Sequence, residues 1–315
     1  MRLASTTALV ALGVATAACR DTNILPPPPP DTAGGVIVFA SDRSDNNSEI
    51  FRVYADGRGL RRLTTSRDAN DRAPALSPDG SRIAWEREIT TASGDVTAVE
   101  IWTMDVDGGD THAVVSNGSF NRAPSWAPDG SLVFSSFLSG SDQVYRLAPG
   151  SATPVRLTTG GAADQSPRVS PDGGAVIFQS NRGLDFDIYV MRIDGSEVVN
   201  LTNQGGDDRF PAWSPDGSRI VWTRFDERTL SFDLWWMRAD GTEAEPLVAT
   251  PFNETSPSFS PDGSHVVFQS DRVPPARLFV ADVATGEPRA LSADAARSGS
   301  DQAPWWGPAR LGTAR

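Results

Sequence analysis

The sequence predicts an all-β fold, a six-bladed β-propeller of four-stranded antiparallel blades, and three observations carry that prediction. A tetrapeptide turn recurs at blade spacing, a dense apolar run follows each turn, and a C-terminal segment repeats the start of a blade without its continuation. Ser-Pro-Asp-Gly stands at 77–80, 170–173, 214–217 and 260–263, with Ala127-Pro128-Asp129-Gly130 as a variant, so the period is 43 to 50 residues. Proline at the second place and glycine at the fourth suit a type I turn. Each copy therefore marks a tight hairpin.

Four segments surround every turn. The first carries a proline and precedes the turn, at 72–77, 122–127, 165–170, 209–214 and 255–260. The second is an unbroken apolar run: Ile83-Ala84-Trp85, Leu132-Val133-Phe134, Val176-Ile177-Phe178, Ile220-Val221-Trp222 and Val266-Val267-Phe268. A strand apolar on both faces must be covered on both, as happens when a blade lies between two neighbours. The third reads Ile101-Trp102-Thr103-Met104, Ile188-Tyr189-Val190-Met191 or Leu234-Trp235-Trp236-Met237, and Asp194-Gly195 and Asp240-Gly241 after it are hairpin signals. The fourth, as at 155–158 and 198–202, is short and suits an outer edge. Trp85, Trp102, Trp213 and Trp222 fall on these strands and are expected to pack between blades.

Second segments number six, because Val36-Ile37-Val38-Phe39 opens the domain with no first segment before it. The missing piece stands at the other end, where Gln302-Ala303-Pro304-Trp305-Trp306-Gly307 matches Arg209-Phe210-Pro211-Ala212-Trp213-Ser214 in its proline and tryptophan. This C-terminal strand is expected to become the innermost strand of the first blade and close the ring, so that no sheet edge stays open between first and last blades. The propeller then covers 36–308, followed by a tail at 309–315.

The run Pro211-Ala212-Trp213-Ser214-Pro215-Asp216-Gly217-Ser218-Arg219-Ile220, followed by Asp233-Leu234-Trp235-Trp236-Met237, resembles the repeat of TolB-type propellers, and the resemblance extends over about 36–308. It implies a propeller that binds partners in a bacterial cell envelope. The best-known member of that family also has an N-terminal α/β domain that touches inner-membrane partners. Residues 20–35 are too few to encode one, so only the binding function of the propeller is expected to carry over. The repeats are also similar to those of prolyl oligopeptidase relatives, which keep their nucleophile in a separate α/β-hydrolase domain. No Gly-x-Ser-x-Gly occurs here, and 309–315 leaves no room for such a domain.

Arg2 and the apolar, small-residue run at 3–18 read as an export signal, too short for a comfortable membrane span. The sole cysteine, Cys19, follows at once, and Thr16-Ala17-Ala18-Cys19 resembles a bacterial lipobox, with Thr16 where an aliphatic residue is usual. The resemblance implies cleavage before Cys19 and its lipidation; simple cleavage at Ala15-Thr16-Ala17 is the alternative. Residues 1–18 are thus expected to be a signal peptide and 19–35 an anchored linker, in which five prolines at 26–30 favour an extended polyproline spacer. The expected location is the periplasmic or cell-surface side of a bacterial membrane.

Lys and Arg number 28 against 40 Asp and Glu, a net charge of -12 with no basic run, which argues against nucleic acid as a partner. Acidity of this kind mostly keeps a protein soluble, and it is compatible with a basic partner. Asp105-Val106-Asp107-Gly108-Gly109-Asp110 has the alternating acids of a calcium loop, but 55–57, 193–195 and 239–241 keep only the Asp-Gly, so a hairpin turn explains the shared part. His112 falls on an outer strand and His265 takes the place of Arg82 and Arg219, where a solvent-facing side chain is expected. No metal, cofactor or catalytic residue is expected.

With four antiparallel strands per blade, the first-to-second and third-to-fourth turns share one face of the ring and are short. The other face holds the second-to-third loops, such as 87–99 and 224–232, and the connections between blades, such as 65–71 and 293–301, with Phe120, Phe137, Phe186, Phe225 and Phe252 in or beside them. An envelope protein or peptide is expected to bind there. Three residues before each innermost-strand proline stand Asp71, Asn121, Asp164, Asp208, Glu254 and Asp301, followed directly in three blades by Arg72, Arg122 and Arg209. Alternation along a strand turns the acid and the arginine opposite ways. Two readings follow for the acids: a negative channel mouth that attracts a basic peptide or a cation, or local caps that bond their own loops or the neighbouring blade. The same carboxylates supply the alternative function, a hydrolase or lyase acting on polysaccharide or peptide.

Overall fold

The computed structural model describes residues 34–44, 47–203, 205–291 and 299–309. The expected signal peptide at 1–18, the lipidation site Cys19, the rest of the linker to residue 33, most of the connection at 293–301 and the tail from 310 lie outside the described residues.

The described strands form six four-stranded antiparallel sheets. Blade 2 comprises Asp71–Leu76, Arg82–Thr90, Val96–Asp105 and His112–Val115, and blade 3 comprises Asn121–Trp126, Leu132–Ser136, Gln143–Leu147 and Val155–Arg156. Blade 4 is Asp164–Val169, Ala175–Ser180, Asp187–Arg192 and Val199–Asn200. Blade 5 is Asp208–Trp213, Arg219–Asp226, Ser231–Arg238 and Glu245–Val248, and blade 6 is Glu254–Phe259, His265–Ser270, Arg277–Asp282 and Pro288–Ala290. In blade 1 the C-terminal strand Asp301–Gly307 lies innermost, against Val36–Ser41, Glu49–Tyr54 and Arg61–Arg62. Ile37 pairs with Trp306 and Ser41 with Asp301, so the two ends of the propeller are joined by backbone hydrogen bonds, as the sequence predicts. Gly35 makes this closure sterically feasible. Its φ is +89°, and a Cβ there would fall 2.4 Å from the Gly307 carbonyl oxygen.

The core is divided into six apolar clusters, one between each pair of adjacent blades. Ile177 and Ile188 meet Ile220, Trp222 and Met237 between blades 4 and 5, and Ile37, Phe39, Phe51 and Val53 meet Val267, Leu278 and Val280 where blade 6 returns to blade 1. Each dense apolar strand sends alternate side chains into the two flanking clusters, which explains why it shows no polar face. An aromatic pair crosses the second and third strands of every blade: Phe39–Phe51, Trp85–Trp102, Phe134–Tyr145, Phe178–Tyr189, Trp222–Trp235 and Phe268–Phe279.

Every innermost strand is interrupted at one place. Ala73, Ala123, Ser166, Phe210, Ser256 and Ala303, each directly before its strand's proline, have φ between 44° and 54°, and the register with the second strand shifts there. This bulge re-aims the chain and splits each innermost strand into one half that faces the loop-rich mouth and one that faces the short-turn mouth.

Two stretches read as loops are in fact strand. In blade 2 the pairing continues through Glu88↔Val99 and Ile89↔Ala98 to Thr90↔Val96, and in blade 5 through Phe225↔Phe232 to Asp226↔Ser231. Cross-strand side chains extend these hairpins: Phe225 and Phe232 pack edge to face at 5.2 Å. Blades 2 and 5 are opposite in a ring of six, so two projecting hairpins flank the loop-rich mouth.

Candidate functional site

The six residues predicted at the loop-rich mouth begin the innermost strands, and all are buried: Asp71, Asn121, Asp164, Asp208 and Glu254 are fully inaccessible and Asp301 is 3% exposed. The carboxylates are turned into the blades, and arginines in the second strands or just after them answer the acids. Arg87 grips Asp71 with two hydrogen bonds of 2.7 Å, and Arg182 bonds both oxygens of Asp164 at 2.8 Å. Arg272 pairs with Glu254, and Arg43 with Asp301. Each guanidinium also lies on its blade's aromatic pair, 4.3 Å from the Trp102 ring centre for Arg87, 4.9 Å from Tyr189 for Arg182 and 4.6 Å from Phe279 for Arg272. The repeated unit is thus an acid, an arginine and two rings.

Two solutions deliver the arginine. In blades 1, 4 and 6 it comes two residues after the strand's final serine, and its Nε donates to that serine at 3.0 Å, as in Arg43 to Ser41, Arg182 to Ser180 and Arg272 to Ser270. In blades 2 and 5, where the hairpin runs on, the arginine takes the serine's own place: Arg87 is opposite Asp71 and Arg224 opposite Asp208. Blade 3 has neither charge. Leu138 stands where blades 1, 4 and 6 place arginine and Ser136 where blades 2 and 5 do, and Asn121 donates to the Val99 carbonyl at 2.9 Å and to Asn117 at 2.8 Å while accepting from Ser136 at 2.7 Å. Acid and arginine disappear together, which is what a buried pair requires.

Blade 5 departs from the rule in geometry. Arg224 is 3.9 Å from Asp208 and gives Nη2 to the Gly205 carbonyl, while Asp208 Oδ1 accepts from Trp222 Nε1 at 2.7 Å and Oδ2 has no hydrogen bond of good geometry among the described residues. Burial pushes Asp208 up to about 6, against the pull of Arg224 and the indole. Burial also raises Glu254, opposed by Arg272 and Thr250. These partners were missed by sequence reasoning, which noticed only the arginines next in chain. The signal was present as Ser41-Asp42-Arg43, Ser180-Asn181-Arg182 and Ser270-Asp271-Arg272 after the second strands.

The adjacent arginines do point the other way. Arg72 is 3.6 Å from Glu88, Arg209 pairs with Asp207 at 2.8 Å and lies over Phe186, and Arg122 lies over Phe120. Between and beyond them the loop-rich face exposes large apolar side chains: Val96, Phe137, Leu138, Leu184, Leu230, Phe252 and Val273. Leu184 is fully exposed and Leu230 is 74% exposed at the tip of the blade 5 hairpin. The opposite face's turns are self-contained. Asp216 and Asp262 each accept from two serines, which holds both at about 2. Among the described residues no group of three or more His, Cys, Asp and Glu comes together as a metal site.

The architecture defines a closed, all-β propeller whose innermost strands begin with buried carboxylates, most of them paired to arginines of their own blades. The chain belongs to the TolB beta propeller domain family, whose profile matches residues 68–229 and 206–309. A protein named TolB homolog from Chlorobium luteolum is 29% identical over 178 residues, 56% of this chain and 39% of the relative. The Tol-Pal system protein TolB of Anaeromyxobacter is 32% identical over 102 residues, 30% of this chain and 22% of the relative. The chain thus spans well under half the length of these relatives. The crystal structure of TolB from Acinetobacter baumannii superposes with a TM-score of 0.76 at 24% identity, over 89% of this chain and 68% of that one. An oligogalacturonate lyase in complex with manganese shares the fold at a TM-score of 0.56 and 15% identity, over 82% of this chain and 73% of that one.

Proposed function

We propose that this chain is a non-catalytic scaffold of the bacterial cell envelope, whose loop-rich face binds a protein or peptide. The observation that carries the reading is the row of exposed apolar side chains on that face, held on a closed ring between two projecting hairpins. Family membership and the Tol-Pal name of one relative support an envelope partner. The acids at 71, 164, 208, 254 and 301 serve the ring: a carboxylate that acts as acid or base must reach its substrate, and these are buried against their own blades.

The same proposal assigns Cys19 a lipid that fixes the chain to the membrane. The described chain begins at Gly34, whose carbonyl accepts from Trp306 Nε1 at 2.7 Å on the short-turn side, so the proposed tether would join the propeller on the side away from the loop-rich face. Crosslinking in envelope preparations tests both points. Leu138→Asp combined with Leu184→Asp and Leu230→Asp should abolish the crosslinked products while the protein melts as before, and Cys19→Ala should move it to the soluble fraction. Unchanged products from the triple variant would move the binding face elsewhere, and a Cys19→Ala protein that stays with salt-washed membranes would reject the lipid.

A further inference from the structure

Beyond the bulge the innermost strands line a cavity of about 350 Å³ at the short-turn mouth, within the range of small-ligand sites. Its rim is one proline from every blade: Pro78, Pro128, Pro171, Pro215, Pro261 and Pro308. Trp126 and Trp213 stand on its wall, their indoles fixed by donation to the carbonyls of Ala75 and Arg168 at 3.2 Å. One residue past the strand proline, four blades place a small side chain: Ala75, Ser125, Ala212 and Ser258. Blades 1 and 4, opposite each other in the ring, place Trp305 and Arg168, and the guanidinium lies 4.6 Å from the Trp305 ring centre. This stack crosses the channel and floors the cavity.

Arg168 differs from the arginines of the loop-rich mouth that are paired to acids. Its Nη1 donates to the Pro167 carbonyl at 3.3 Å, and among the described residues it makes no ion pair. Burial pulls it down to about 10, with Glu86 acting against that from a distance. Holding a cation in an apolar cup is unfavourable without an anion, and a small residue at this position serves four other blades.

We propose that the short-turn cup binds the C-terminal carboxylate of an apolar peptide from another protein, with Arg168 pairing the carboxylate and the proline and tryptophan wall holding the last side chains. The cup lies on the ring axis with its one charge at the floor, so a chain enters end on, and a chain end is what carries a carboxylate there. A guanidinium matches a carboxylate in planar, two-bonded geometry, and rigid rings and prolines bind apolar or proline-rich residues at low entropic cost.

The probe is the tripeptide acetyl-Pro-Pro-Leu as free acid and as C-terminal amide, titrated into the whole chain and followed by tryptophan fluorescence. The acid should bind at least about tenfold tighter than the amide. Arg168→Gln should erase that preference and Arg168→Lys keep part of it, with the unfolding transition retained. Equal affinity for acid and amide, or no response to the acid at millimolar concentration, would overturn the proposal. That comparison on the unaltered chain decides the matter even where Arg168→Gln fails to fold. Residues 26–31, five prolines and Asp31, precede the rim in sequence and share this chemistry. A preference for the acid that emerges only when 26–30 are replaced by serine would assign the cup to the chain's own segment and reject the external peptide.

Discussion

The two mouths of the channel are made from opposite halves of the same six strands, divided at the residue before each proline, and they handle charge differently. At the loop-rich mouth five acids are buried and drawn to arginines of their own blades, and the sixth position has given up its charge together with the arginine that would have met it. At the short-turn mouth the strands offer mostly small and aromatic residues and one arginine without an acid. A feature that repeats around a ring is one the ring needs for its own assembly, whereas a feature found in a single blade answers to something outside the repeat. The comparison therefore favours a structural role for the acids and is the ground on which specificity is proposed for Arg168 and the irregular loops.

Closure has the largest expected effect on either mouth, because both vanish if blade 1 opens. Removing 301–315 strips the innermost strand from Val36–Ser41 and takes Trp306 out of the cluster between blades 6 and 1. The cooperative unfolding transition should disappear, measured by circular dichroism on heating. A truncated chain that still melts cooperatively at the original temperature would mean that closure contributes little.

Much of this architecture was legible in the sequence, for a physical reason. Proline-aspartate-glycine turns and doubly covered apolar strands obey local rules, so the blade count and the origin of the closing strand could be read from residues near in chain. The hairpins of blades 2 and 5 look like loops in sequence because Thr90 and Asp226 are polar, although cross-strand pairs such as Phe225 with Phe232 continue the ladder. The acids were located, but their partners lie 15 to 20 residues on in most blades, and Arg43 meets Asp301 only after the ring closes. The contact of Arg168 with Trp305 was beyond reach, since it depends on two blades standing opposite each other.

The next effect concerns one acid of the loop-rich mouth. Asp164→Asn keeps the size of the side chain but leaves Arg182 facing a neutral group. Breaking a buried pair costs about 3–5 kcal/mol, and because the Arg182 side chain is 29% exposed, solvent reduces this to about 2 kcal/mol. Urea unfolding should show the loss at neutral pH. Unaltered stability, joined to weaker capture of a basic partner, would return Asp164 to the list of binding residues.

Asp208→Asn should act in the opposite direction, and by less. The native carboxyl is pushed up to about 6, first by burial, while an unfolded aspartate titrates near 3.9. Between those values the folded protein holds the proton more tightly, so the contribution of this residue is most favourable at low pH and is lost as pH rises through about 6. At neutral pH the ionised group lowers stability by on the order of 1–3 kcal/mol. Asparagine removes that charge, keeps an oxygen to accept from Trp222 Nε1, and leaves Arg224 its bond to the Gly205 carbonyl. The variant should be more stable than the parent by about 1–2 kcal/mol at pH 7.5, and the gain should shrink to nothing by pH 4, as read from denaturant midpoints across that range. If Asp208→Asn instead weakens the fold at every pH, as Asp164→Asn should at neutral pH, then Arg224 at 3.9 Å stabilises the carboxylate more than burial opposes it, and blade 5 follows the same rule as its neighbours.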